Sequence, residues 1–370
     1  MKKAVIIGGG FAGCTAAYML KQKGFDVTVV EASDVLGGGC RTFFHYGHPY
    51  TYGPHHLLIN EDEMFVWEYF EKFLHLRELT HHTLTYVGSD EKFYTYPIHI
   101  DEVKTMPDYD KIKKELNNKD EEKIKNSKNF EEYWINSIGE TLYDKFVHTY
   151  SEKMWQIKNN KEIDEFGFSP KGKTLQSGSK QCFIGQKKIA YPIEIDGYNS
   201  YFEKCVDGCN VIYNKKVETF DLDNKRVKVD NEWISGDVII NTASLDLVFD
   251  YCYGELKYIG RDFQKIILPV EQVFPEPYHF VHYANEEPYT RIVEYKKLTG
   301  YKSPYTLIGI EYPSFKNKLY PYPVKSEIEK ANKYKKLLPK DCYSIGRMGT
   351  YKYDNMDIIV KDCMKLMEKI

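Results

Sequence analysis

No stretch of this chain approaches the ~18 consecutive apolar residues that a membrane-spanning helix needs, and Met1-Lys2-Lys3 leads straight into a strand rather than into the apolar core of a signal peptide. A cytoplasmic location with no membrane partner is the expectation. An excess of charge of one sign is missing too. The 51 basic and 54 acidic residues are interspersed and leave a net charge of −3, so no basic stripe is present for nucleic acid. Among the 8 cysteines there is no CxxC pair, and Cys205 and Cys209 have no neighbouring His or Cys to complete a zinc site. Reduced, buried thiols and no metal are expected. Internal repeats and low-complexity tracts are also absent. What remains is a globular chain of two or three domains whose partner is a small molecule.

What is present begins at residue 3. Residues 3–8 read as a buried parallel strand, 12–23 as a helix and 26–31 as the next strand, which makes a βαβ unit. Gly8-x-Gly10-x-x-Gly13 lies where that strand turns into the helix. The first glycine permits the tight turn, the second lets backbone N–H groups approach a pyrophosphate, and the third lets helix and strand pack closely. Phe11 and Ala12 fall inside this loop, and Glu31, followed by Ala32, ends the second strand where a carboxylate accepts from ribose hydroxyls. A dinucleotide is therefore expected here. Gly37-Gly38-Gly39 adds a second glycine turn near the same pyrophosphate. With that turn the residues resemble the glutathione-reductase-like flavoproteins, which implies FAD rather than NAD, with Val217, Gly346, Arg347, Met356 and Asp357 also near it.

Further along, residues 101–168 are rich in Lys and Glu, and Phe130, Trp134, Ile138, Leu142, Phe146 and Tyr150 recur every four residues, as a helix burying one face would show. The stretch 170–185 is polar and rich in Gly, Ser and Lys, a candidate mobile loop. Residues 251–324 alternate apolar and polar positions, which suits an antiparallel sheet. The last forty or so residues return to strand, glycine turn and amphipathic helix.

Several motifs resemble those of the UDP-galactopyranose mutase family: YGPHH at 52–56, YPI at 96–98, the run from Phe130 to Trp155, PYTRIVEYK at 288–296 and GRMGTYKYDNMD at 346–357. The resemblance implies an α/β fold with three parts. A Rossmann-like FAD domain comprises residues 1–73, 196–250 and 325–370, and a helical insertion covers 101–168. A substrate domain built on an antiparallel sheet comprises 74–100, 169–195 and 251–324. It also implies a redox-neutral isomerisation of a nucleotide sugar, for surface polysaccharide synthesis and commonly in a homodimer. N5 of the reduced flavin attacks the anomeric carbon, the nucleoside diphosphate leaves, and the sugar ring recloses through another hydroxyl. On this resemblance Arg291 and Arg347 clamp the diphosphate, with Tyr353 and Tyr322 donating to it. Phe146, Tyr150 and Trp155 line the nucleotide and sugar pocket, and Gly53, Pro54 and His55 lie against the flavin.

The chain departs from the family at specific places. Leu58 stands where a second histidine is usual, and the polar loop offers only lysines, Lys173 or Lys180, where an arginine is usual. Gln181-Cys182-Phe183 replaces the stretch associated with the uracil end, Asn355 replaces an aspartate, and Arg261 is offset by two positions. These changes leave a UDP-galactopyranose mutase-like activity as the first expectation and open, as alternatives, the same chemistry on a modified galactose, or on a deoxy sugar or heptose on GDP or another nucleotide. A flavin amine-oxidase-type oxidoreductase is the alternative, because GGGCRT suits those enzymes as well.

Overall fold

The computed structural model describes residues 1–165, 175–182 and 187–370. Val and Ile dominate Lys3–Ile7, Asp26–Val30 and Val238–Asn241, and β-branched residues without polar alternation suit strands covered on both faces. These strands form the centre of a five-stranded parallel sheet in the order Asn210–Ile212, Asp26–Val30, Lys3–Ile7, Val238–Asn241, Cys342–Ser344. Three remote parts of the chain thus meet in one sheet. Helices Phe11–Gln22 and Met356–Met367 share an apolar core on one of its faces with Tyr201 and Phe202.

A second sheet of seven strands carries most of the polar chemistry. Its order is Tyr320–Pro321, Tyr258–Leu268, Thr306–Ser314, Arg291–Glu294, Tyr278–Tyr283, His82–Val87, Lys92–Tyr96. All neighbours are antiparallel except Tyr278–Tyr283 and His82–Val87, which run parallel. A parallel pair needs a long crossover, and the whole helical insertion lies between these two strands.

The four-residue apolar period does not make one helix. It is divided into Phe130–Ile138, Glu140–Phe146 and His148–Trp155. Gly139, at φ 86°, and Val147 separate them, and Asn129 caps the first by accepting from the Glu132 amide. The periodic residues still share one core, because each break reorients a short helix over the same interior. A smaller antiparallel sheet of Leu57–Asn60, Lys187–Pro192 and Leu76–Glu78 holds Leu58.

Candidate active site

The glycine loop is shaped by close approach rather than by side chains. Gly8 has φ 97°, and a Cβ on Gly13 would collide with the Gly8 carbonyl oxygen, so the helix can meet the strand only through glycine. A Cβ on Gly10 would meet nothing within 4 Å; its surroundings are open. Among the described residues no side chain caps the helix Phe11–Gln22, and its first N–H groups remain available to an anion. The second glycine turn is bonded to the first, the Gly37 amide donating to the Gly9 carbonyl at 2.8 Å. Glu31 accepts from the Gly9 amide at 2.6 Å and from the Ser33 amide at 2.8 Å, which holds its carboxylate beside the loop, with exposed Ala32 next to it. Val217 packs on the neighbouring apolar cluster, and Lys215 donates its amide to the Glu31 carbonyl. These residues fit a dinucleotide: open backbone at the pyrophosphate and a fixed acid at the ribose.

From this loop a cavity of about 660 Å³ runs to the seven-stranded sheet. Gly10, Phe11, Ala12, Gly39, Gly346 and Met356 line one side of it, and Gly53, Pro54, His55 and Leu58 also reach it. Gly38 is exposed beside Gly10, and Asp357 is buried one residue past the lining, with Lys361 3.6 Å away. Burial pushes the His55 imidazole down to about 3, helped by Arg347 and His56, so it is neutral at physiological pH. Its Nε2 is buried with no hydrogen-bond partner among the described residues. Cys40 lies 4.0 Å from its Nδ1, and burial raises that thiol to about 11.

Three guanidinium groups converge on the cavity. Arg291 donates to Glu311 at 2.5 Å, directly across the strand pair, and lies over the Phe280 ring. Burial alone would lower its pKa, but Glu311, Tyr320 and Tyr150 reverse that and raise it. Arg347 donates to the Leu319 and Asp354 carbonyls at 3.1 and 3.2 Å and lies over the rings of Tyr353 and Tyr320. Arg261 is buried, its guanidinium 4.9 Å from the Tyr320 ring centre. Tyr320 and Tyr353 stack at 5.2 Å and 13° between them. Burial and Tyr320 push Tyr353 up to about 12 against the pull of the arginines, so its hydroxyl keeps its proton. The arrangement is one of fixed cations and phenolic donors in a low-dielectric wall, suited to developing charge on phosphate oxygens.

Not every expected residue reaches this cavity. Tyr150, His55, Leu58, Tyr353, Asn355, Arg291 and Arg347 line it. Phe146 is buried in the helical core against Tyr94, because its helix turns that face inward. Trp155 and Tyr322 lie on a separate cavity of about 80 Å³, where the Tyr322 hydroxyl donates to the Trp155 carbonyl. The tyrosine beside the arginines is Tyr320. Lys173 and half of the candidate mobile loop lie outside the described residues, and Lys180 is held by Glu102 at 2.6 Å. Glu311, Tyr320, Phe280, His56, His81 and His282 also line the cavity. Sequence reasoning missed them. The one available signal was an acid and imidazoles at otherwise apolar strand positions, as in Ile308-Gly309-Ile310-Glu311.

A family model described as UDP-galactopyranose mutase matches residues 145–353, and a model of an NAD(P)-binding Rossmann-like domain matches residues 6–73. The chain is 26% identical to dTDP-fucopyranose mutase of Escherichia coli, over 99% of this chain and 97% of that protein. It is 24% identical to a probable UDP-galactopyranose mutase of Klebsiella pneumoniae, over 100% and 94%. A crystal structure of reduced UDP-galactopyranose mutase superposes with a TM-score of 0.80 at 17% identity, covering 100% of this chain and 93% of that one. With more than half of its residues inside the family model, the chain belongs to the UDP-galactopyranose mutase family.

Proposed function

We propose that this protein interconverts the pyranose and furanose forms of a nucleotide-activated hexose, with FAD bound in its reduced form. The observation that carries the reading is the convergence of Arg261, Arg291 and Arg347 with Tyr320 and Tyr353 on the cavity that the glycine loop opens into. Reduced FAD, when bound, supplies an electron-rich ring nitrogen as nucleophile toward the anomeric carbon. The protein's part is orientation and electrostatics. As the bond from the anomeric carbon to the diphosphate oxygen breaks, negative charge develops on that oxygen beside Arg291 and Arg347, whose forks match phosphate geometry. The same groups hold the diphosphate until the ring form has changed and the bond closes again. Neutral His55 adds no charge beside the cofactor's side of the cavity.

The favoured donor is a 6-deoxy sugar such as dTDP-fucose, with UDP-galactose second. Leu58 on the cavity wall supports this, because an apolar side chain suits a methyl group better than a hydroxymethyl. Kinship with the mutases supports the remaining parts of the proposal: a homodimer, a cytoplasmic location and supply of a furanose donor for surface polysaccharide. The reading is tested by incubating the dithionite-reduced protein with both donors and separating ring forms chromatographically. Isomerisation of either donor by the reduced protein supports it; oxygen uptake with an amine substrate and no isomerisation would overturn it.

A further inference from the structure

We propose that Tyr96 reads the nucleoside half of the substrate, its hydroxyl bonding an oxygen of that nucleoside; the proposal rests on the mutase reading above. The sheet lays out the route. Arg291 pairs with His282 on the next strand, His282 pairs with Thr85 on the strand after it, and Thr83 on that same strand pairs with Tyr96 on the edge strand Lys92–Tyr96. His282, Thr83 and Tyr96 line the cavity together with Tyr150 and Met154 from the helix His148–Trp155. Three strand spacings separate Arg291 from Tyr96, roughly 14 Å at about 4.8 Å each.

The diphosphate divides the substrate in two. Its reacting sugar has to extend from the arginines toward the glycine loop, His55 and the cofactor. The nucleoside hangs from the other phosphate, and the strip from His282 to Tyr96 carries the cavity wall on from Arg291 across the next three strands. Tyr96 is 5% exposed, and its hydroxyl has no hydrogen-bond partner among the described residues. Its ring meets His282 edge-on at 5.7 Å, and the Tyr150 ring meets the same imidazole at 5.5 Å. Phenylalanine would pack there equally well, and a buried hydroxyl left unpaired is costly, so the oxygen points to a ligand. A phenolic O–H donates well to a base carbonyl or to a ribose hydroxyl, and both are oxygen acceptors of the nucleoside.

The test titrates the FAD-loaded protein, as wild type and as Tyr96→Phe, with UDP, dTDP and inorganic pyrophosphate, following the flavin signal. The expected result is about tenfold weaker nucleotide binding by the variant, with pyrophosphate affinity and FAD content unchanged. Weakening of both nucleotides assigns the acceptor to a group that they share, such as a base carbonyl. Weakening of UDP alone assigns it to the ribose 2′-hydroxyl, which dTDP lacks. Equal nucleotide affinities in the two proteins overturn the assignment of Tyr96 and leave the mutase reading standing, and so does a loss that extends to pyrophosphate. A wild-type protein that binds neither nucleotide overturns both donors favoured above as well.

Discussion

Arg291 presents a fork that lysine cannot imitate, and its partner Glu311 has no exposed surface. Arg291→Lys keeps the charge but loses bidentate contact with phosphate oxygens, and it leaves the carboxylate poorly paired. The expected outcome is a fall in kcat/KM of roughly 10²-fold with FAD retained, measured by steady-state isomerisation; an unchanged value would remove Arg291 from the diphosphate site. The histidines give a second prediction. His279 is buried, and burial, with His56 and Arg291, takes it from 6.5 to about 3. The folded state keeps it neutral while the unfolded chain takes up a proton as pH falls below 6.5, so stability is lost between pH 6.5 and about 3. His279 alone accounts for about 1.4 kcal/mol per pH unit well inside that window. Thermal melts from pH 7 to pH 4 should show a declining Tm that His279→Gln makes shallower. A Tm independent of pH across that range would contradict the burial argument.

The elements differ in how much of them sequence discloses. In the glycine loop, chemistry and chain order coincide: Gly8, Gly10, Gly13 and Glu31 sit in one βαβ unit, so the turn, the helix start and the acid are all local. Gly13→Ala tests that unit, because the added methyl collides with the Gly8 carbonyl. The variant should purify without flavin absorbance, whereas a yellow, FAD-replete variant would show that the loop tolerates separation of strand and helix. The seven-stranded sheet was less legible. Alternation disclosed strands in 251–324, but the parallel pairing of Tyr278–Tyr283 with His82–Val87 is a contact across the whole helical insertion, and no local pattern encodes it. That pairing brings Tyr96 to the arginines' cavity, whereas His282 and Glu311 meet Arg291 directly across the antiparallel neighbours of its own strand. Tyr322 and Tyr320 illustrate the same limit at short range. The strand stops at Pro321, so Tyr320 faces the arginines and Tyr322 turns to the Trp155 backbone. In the helical region the apolar period was readable, whereas the breaks at Gly139 and Val147 depended on how three short helices cover one core.

At the scale of the whole molecule, a dinucleotide loop on a parallel sheet faces one cavity with Arg261 and Arg291 from a mixed sheet and Arg347 from the helix Gly346–Thr350, and the helical insertion supplies Tyr150 and Met154 to its wall. Lys153, one residue from Met154, donates to the carbonyls of Tyr283, Asn285 and Glu287, tying the helices to the turn that precedes Arg291. The mutase proposal requires that this assembly break the bond between the anomeric carbon and the diphosphate and keep the diphosphate in the cavity with its terminal phosphate free to turn. The most direct measurement places ¹⁸O in that bridging position of the nucleotide sugar and follows its migration to non-bridging phosphate positions by ³¹P NMR. Scrambling is expected with the reduced protein, at a rate that falls with Arg291→Lys, and none with the oxidised protein. Ring isomerisation with the ¹⁸O label fixed in the bridge would contradict it.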